Sequence, residues 1–218
     1  MAGAGSNARW IIQRDACGVR HRSTYDKLFL LSASDTRTTK FLTALACGVP
    51  CVKQEWVTES LVQNRLQDWR QYLLPQGLSV TYNMSVTQMV DTRWGDNRAH
   101  LLDLLDGNTG KLRLLEDMSI ALVGRDLMPR ANAASSKAEP GVAKVLICMG
   151  ARRVEVFARE QAIVNRLSNY DLVILRTGES TPTTRPASLR RANVCSWDWA
   201  KDCLSLSRLL PYTWPADD

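Results

Sequence analysis

Cys51-Val52-Lys53-Gln54-Glu55-Trp56-Val57-Thr58-Glu59-Ser60-Leu61, followed by Arg65-Leu66, is the stretch that decides the fold. The tryptophan is followed by a small residue at +4, Leu at +5, Arg at +9 and Leu at +10. Val194-Cys195-Ser196-Trp197-Asp198-Trp199-Ala200-Lys201-Asp202-Cys203-Leu204, followed by Arg208-Leu209, repeats this pattern around Trp199, 143 residues after Trp56, with nothing inserted or deleted. Upstream, Tyr25-Asp26 and Tyr170-Asp171, 145 residues apart, each open an apolar run, Leu28 to Leu31 and Leu172 to Leu175. One pattern recurring at a long period means two copies of one domain. A small duplicated domain without catalytic residues points to binding.

The chain has 218 residues, which divide into two units of about 100 residues, an ordinary domain size. Hydrophobic residues make up 45%, as in a globular protein. No apolar run reaches the roughly 20 residues of a membrane-spanning helix, so no membrane role is expected. The N-terminal Met1-Ala2-Gly3-Ala4-Gly5-Ser6 lacks the apolar core of a secretory signal. A net charge of +6 suits an acidic partner, phosphopeptide or nucleic acid, and equally an ordinary surface. The six cysteines, at 17, 47, 51, 148, 195 and 203, stand mostly in apolar contexts and read as reduced, core-filling thiols.

Strands and helices alternate along both units. Leu28 to Leu31 reads as a strand buried on both faces. Ser34-Asp35-Thr36 offers capping oxygens to a helix whose apolar residues are Phe41, Leu42, Leu45 and Ala46. Gly48 and Pro50 stop that helix. Cys51-Val52 is a short strand, and Trp56 to Leu66 a helix with Trp56, Val57, Leu61 and Leu66 facing inward. Residues 78–116 read as a linker with a helical piece, Ala99 to Leu105. Beyond it come a strand at Ile120 to Val123, a loop at Met128 to Pro140, a helix at Val142 to Met149, and strands at Val154 to Phe157 and Leu172 to Leu175. The expected fold class is α/β, with small parallel sheets flanked by helices. Ile11-Ile12 reads as the end of a strand. Only 24 residues precede Tyr25, too few for the strand and helix that open the second unit. The first unit is therefore expected to lack its first strand and helix.

These residues resemble the BRCT domain, in which a four-stranded parallel sheet carries three helices and a buried tryptophan on the last. Arg37-Thr38-Thr39-Lys40-Phe41, Gly48-Val49-Pro50-Cys51-Val52, Trp56-Val57 and Tyr72-Leu73-Leu74-Pro75 resemble, within that family, the tandem BRCT end of DNA-damage checkpoint mediators, the p53-binding adaptor and its fungal relatives. The resemblance is dense over 25–77, weaker over 118–212 and absent over most of 78–117. It implies two tandem BRCT domains: a first repeat over 1–77, incomplete at its start, a linker over 78–116, and a second repeat over 117–218. It departs from the family at the missing first strand, which carries half of the family's phosphate site, and at Thr181-Pro182-Thr183-Thr184-Arg185-Pro186. Pro186 disfavours a helix there.

Arg37 and Lys40 carry the sharpest chemical expectation. They lie three apart in a first helical turn and share a face, where free amides and the helix dipole favour an anion. The resemblance implies that Lys40 contacts phosphate and Arg37 the peptide backbone, with Thr38 in the same phosphopeptide-binding set. It implies a nuclear, non-enzymatic scaffold reading a phosphorylated histone tail or another phosphoserine protein, with p53-like or checkpoint-kinase partners through the linker. The rival readings are a phosphate-independent protein-interaction module and a DNA-end-binding BRCT region of a repair or replication enzyme. Self-association is a further expectation. Trp56, Trp199 and Gly48 are expected to be structural, each buried ring removing about 150–250 Å² from water. His21 and His100 are too scattered for a triad or a metal site, and Cys47 to Cys51 lacks a second ligand pair, so no catalytic residue, metal or cofactor is expected. Arg152-Arg153 and Arg190-Arg191 read as solvated doublets.

Overall fold

The computed structural model describes residues 10–13, 28–35, 37–79, 82–94, 113–127, 141–176, 187–189 and 192–212. The second unit is built on a sheet in which four consecutive strands are all parallel. β6 (Ser119–Val123) lies between β7 (Arg153–Phe157) and β8 (Leu172–Leu175), and β9 (Val194–Ser196) flanks β8. β6 and β8 are buried along their whole length, which is why both read as unbroken apolar runs. Helix α3 (Gly141–Cys148) joins β6 to β7 as a crossover, and α4 (Trp197–Ser205) follows β9 directly. Ser196 caps α4 by accepting from the Trp199 amide at 3.1 Å.

The first unit is smaller. Its sheet holds two parallel strands, β2 (Leu30–Ser32) and β3 (Cys51–Lys53), among the described residues. Helix α1 (Thr39–Ala46) connects them, and α2 (Glu55–Val62) follows β3. The two ladders share a register. Leu30, Leu31 and Ser32 pair with Cys51, Val52 and Lys53, as Val173, Ile174 and Leu175 pair with Val194, Cys195 and Ser196. The 143-residue offset thus runs through both strands, and the 145-residue spacing of the Tyr-Asp pairs does not extend into them. Gly48 ends α1 with φ +70, a left-handed turn that a side chain would strain. Its role is in the backbone, not in core packing.

Four expectations are corrected. The strand at Ile11-Ile12 exists as β1 (Trp10–Gln13), but it pairs antiparallel with β7 on the second unit's sheet. The linker begins with a hairpin of β4 (Pro75–Ser79) and β5 (Met84–Thr87) that sequence reading did not give. The Trp56 helix stops at Val62, and of the residues expected inward only Trp56 is half-buried. Val57 is 37% exposed, Leu61 74% and Leu66 72%. Leu28 and Leu31 are also about half exposed, so β2 is not buried on both faces. The loop at 128–140, the helical piece at 99–105, both histidines, Cys17, Tyr25-Asp26, the 181–186 segment and Arg190-Arg191 lie outside the described residues.

The largest core runs across both units. Phe41, Leu42, Leu45 and Ala46 of α1 share one apolar cluster with Val142, Val145 and Leu146 of α3 and Cys203 and Leu204 of α4. Burial of a large apolar side chain is worth about 1.5–3 kcal/mol, so Phe41, Leu42 and Leu45 bind the units together. A separate cluster in the first unit packs Val49, Val52, Trp69 and Trp94 against Phe29 and Trp56.

Candidate functional site

The site is built at the N-terminal end of α1, where that helix reaches the second unit. Thr38 is extended and caps the helix, its Oγ1 accepting from the Phe41 amide at 3.3 Å. Its carbonyl accepts from the Leu42 amide at 2.9 Å. The amides of Thr39 and Lys40 remain without an acceptor among the described residues. No acidic residue sits in the first turn to neutralise the positive end of the helix dipole. Lys40 is exposed, and no ion pair engages it among the described residues.

A second helix start meets the first. A Cβ on Gly141 would lie 2.6 Å from Thr39 Cγ2 and 3.3 Å from Thr39 Cβ, so only glycine lets α3 approach this closely. The first turn of α3 also lacks an acid. Lys144 stands one turn after Gly141, on the side of α3 that carries the glycine, and is exposed. Two positive helix ends and two exposed ammonium groups therefore flank one junction between the units. Sequence reading missed Lys144. Its signal was that it is the single charged residue of an otherwise apolar helix.

Arg37 is placed differently from Lys40. Its guanidinium donates to Asp202 Oδ1 of α4 at 3.4 Å, an ion pair across the two units. Asp202 is only 2% exposed, and Ser79 Oγ donates to its other oxygen at 3.5 Å. Gly77 of β4 lies against the same arginine, where a Cβ would come within 3.4 Å of its Nε. Gln76 extends the seam: its Nε2 donates to the Leu204 carbonyl at 2.5 Å and to Ser207 Oγ at 2.9 Å. Of the expected trio, then, Lys40 faces solvent, the Thr38 hydroxyl caps α1, and Arg37 is held at the inter-unit seam.

The repeated tryptophans play matching structural parts. Trp199 Nε1 donates to the Pro211 carbonyl at 2.9 Å, and Trp56 Nε1 to the Gln67 carbonyl at 2.8 Å. Trp199 is buried, while Trp56 is half-buried against Phe29, ring centroids 5.1 Å apart. Burial pushes the thiols of Cys51 and Cys203 up to about 12, which makes them poor nucleophiles. No group of three or more His, Cys, Asp and Glu could hold a metal among the described residues. Arg152, which is exposed, donates to Ser119 Oγ at 2.9 Å, and Arg153, also partly exposed, pairs with Glu155, so this solvated doublet is also tied to its own sheet.

Residues 16–74 match the family model for the BRCT domain of Regulator of Ty1 transposition protein 107. The second unit repeats the register, the tryptophan and its backbone anchor. The first unit is thus similar to a BRCT domain, and the second repeats its pattern. The DNA repair protein crb2 of Schizosaccharomyces pombe is 29% identical over 72 residues, which are 33% of this chain and 9% of that protein. The chain thus covers only 9% of that relative's length. Among solved structures, the BRCT5-BRCT6 domains of S. pombe Brc1 align over 84% of this chain and 79% of theirs, at 16% identity and a TM-score of 0.49.

Proposed function

We propose that this tandem BRCT region is a non-enzymatic scaffold of the DNA-damage checkpoint that reads a phosphorylated histone tail in the nucleus. The observation that carries the reading is the junction of two helix starts, with Lys40 and Lys144 exposed in their first turns and the Thr39 and Lys40 amides open. A phosphate placed there would gain charge-assisted hydrogen bonds from both sides. Arg37, fixed by buried Asp202, would line the seam along which the rest of a peptide runs. The similarity to crb2 supports the repair and checkpoint setting.

Isothermal titration with a phosphorylated and an unphosphorylated histone-tail peptide tests the proposal. The phosphorylated peptide should bind more tightly. Lys40→Met should cost about 1.5–3 kcal/mol, the range for a hydrogen bond to a charged group, and Lys144→Met a similar amount. Equal affinity for the two peptides would exclude phosphate reading. The exposed apolar row on α2 favours a second, phosphate-independent interaction at another face.

A further inference from the structure

The Tyr170-Asp171 pair, which the phosphate junction does not use, opens onto a cavity of about 690 Å³ in the second unit. Its walls come from residues just ahead of three neighbouring strands: Met118 before β6, Asp171 before β8 and Asn193 before β9. The 3-10 turns of Val164–Asn169 and the Tyr212 ring line its sides. The phosphate junction is at the other end of α3. That helix starts at the junction and runs back toward the cavity, where the Gly150 carbonyl accepts from the Asp117 amide at 3.3 Å, beside Met118.

Asp171 is exposed and is the one carboxylate among the lining residues, and no Lys or Arg stands with it. Its Oδ2 accepts from the Ser119 amide at 2.7 Å, which fixes the carboxylate at the head of β6. Its Oδ1 has no partner among the described residues. Asn193 Nδ2 donates to the Asp171 carbonyl at 3.2 Å, so the Asn193 Oδ1 is left to accept. The Tyr212 ring leans on Trp199, centroids 5.5 Å apart, and is 40% exposed. Burial is the first cause that raises the Tyr212 pKa, and Cys195, Cys203 and Asp171 raise it further, so the carboxylate's field reaches the ring. Arg152 donates to Ser119 Oγ at 2.9 Å and is not part of the walls.

A negative oxygen, a neutral acceptor and an exposed ring around one cavity suit a flat cation with several donors. A guanidinium has that shape, pairs with carboxylates and stacks on aromatic faces, whereas an ammonium is compact and strongly hydrated. An anion would meet the charge of Asp171 with no lining cation to offset it. The volume is in the range of about 300–1,000 Å³ that holds ligands much larger than one guanidinium. Val164 and Leu167 add apolar wall for the residues on either side of it.

We propose that this cavity binds an arginine side chain of a partner polypeptide, its guanidinium shared between Asp171 and Asn193 and laid on Tyr212, with an apolar neighbour against Val164 and Leu167. The site stands apart from the phosphate junction and does not rest on it.

Three probes against the intact, isotope-labelled chain test this by nuclear magnetic resonance: an acetylated and amidated Leu-Arg-Leu peptide, its Leu-Lys-Leu counterpart, and methylguanidine. The arginine peptide should shift the side-chain amides of Asn165 and Asn193 and bind more tightly than the other two. Asp171→Asn keeps an acceptor for the Ser119 amide and should weaken the arginine peptide by at least about 10-fold, the loss of a hydrogen bond to a charged group. Tyr212→Leu leaves the Ser119 bond untouched and should weaken it by about 2- to 5-fold. Undiminished binding by either variant would overturn the proposal, as would shifts confined to other surfaces or no binding at all. Equal affinity for the lysine peptide would refute the guanidinium, and equal affinity for methylguanidine would refute the polypeptide.

Discussion

The buried amide of Gln88 sets up the sharpest test of how the linker holds the first unit. Gln88 is 6% exposed. Its Nε2 donates to the carbonyls of Cys51 at 2.7 Å and Leu74 at 2.6 Å, and its Oε1 accepts from the Cys51 amide at 3.0 Å. One side chain therefore stands in for a missing strand on the outer edge of β3. Gln88→Leu keeps the volume and removes all three bonds. The Cys51 carbonyl retains the Leu74 amide at 3.0 Å, but the Cys51 amide and the Leu74 carbonyl lose the partner Gln88 gives them. A buried group left unsatisfied costs about 1–3 kcal/mol, so two predict a loss of about 2–6 kcal/mol, less what the leucine gains by burial. A loss of about 3 kcal/mol is expected in urea unfolding followed by tryptophan fluorescence. Gln88→Glu adds a signature in pH. A carboxylate cannot donate to two carbonyls, whereas the protonated acid can donate to one. The folded pKa of the introduced carboxyl should rise above its unfolded value of about 4.3. The recovered stability is then full below that unfolded value and lost as pH rises through the folded one. The variant's deficit relative to the parent should be smaller near pH ~4 than near pH ~7. A Gln88→Leu loss below about 1 kcal/mol, or a Gln88→Glu deficit independent of pH, would refute the reasoning.

Other expectations follow from the same geometry. Trp199→Ala should cost about 3–5 kcal/mol, and half-buried Trp56→Ala distinctly less, in calorimetric melts of the two variants. Gly141→Ala should destabilise by about 1–3 kcal/mol through the clash with Thr39, and Thr39→Ser, which removes the offending methyl, should restore most of it in a double-mutant cycle of melting temperatures. Cys51 and Cys203, raised from an ordinary value of 9.0 to about 12, should resist a thiol reagent at mildly alkaline pH in the folded chain. Their contribution to stability is intact below pH 9.0 and lost between there and about 12, which alkaline unfolding curves of Cys→Ala variants would show.

The tandem architecture was legible because Trp56 and Trp199 stand in one rigid spacing, and the apolar runs of β6 and β8 announced a parallel sheet. The hairpin of β4 and β5 was not legible, because its burial pattern is inverted. Gln76, Ser79 and Gln88 are buried while Leu78 and Met84 are half exposed. Polar residues go inside there because they replace backbone partners that short strands lack, and no hydrophobic periodicity encodes such a duty. At the site, the expected first helical turn was misplaced: α1 begins at Thr39 with Thr38 as its cap in place of Ser34 to Thr36, so Lys40 lies in the first turn while Arg37 precedes the helix. Their separate fates depend on Asp202, 165 residues beyond Arg37, and on a glycine that lets a second helix approach. Spacing along a chain suggests neighbours on one helix, but it is silent on partners from another unit.

The exposed face of α2 takes this reasoning one step further. Leu61 and Leu204 occupy the same place in the same pattern, yet one is 74% exposed and the other is fully buried. An apolar pattern states which residues are suited to burial, and the neighbouring strand and helix decide whether burial happens. β8 has β6 beside it, and β2 has no counterpart among the described residues. The difference between the units therefore lies in their neighbours, not in the repeated helix. A single repeat thus yields two surfaces: on α4 one closed into the inter-unit core that fixes Arg37, and on α2 one that is exposed among the described residues.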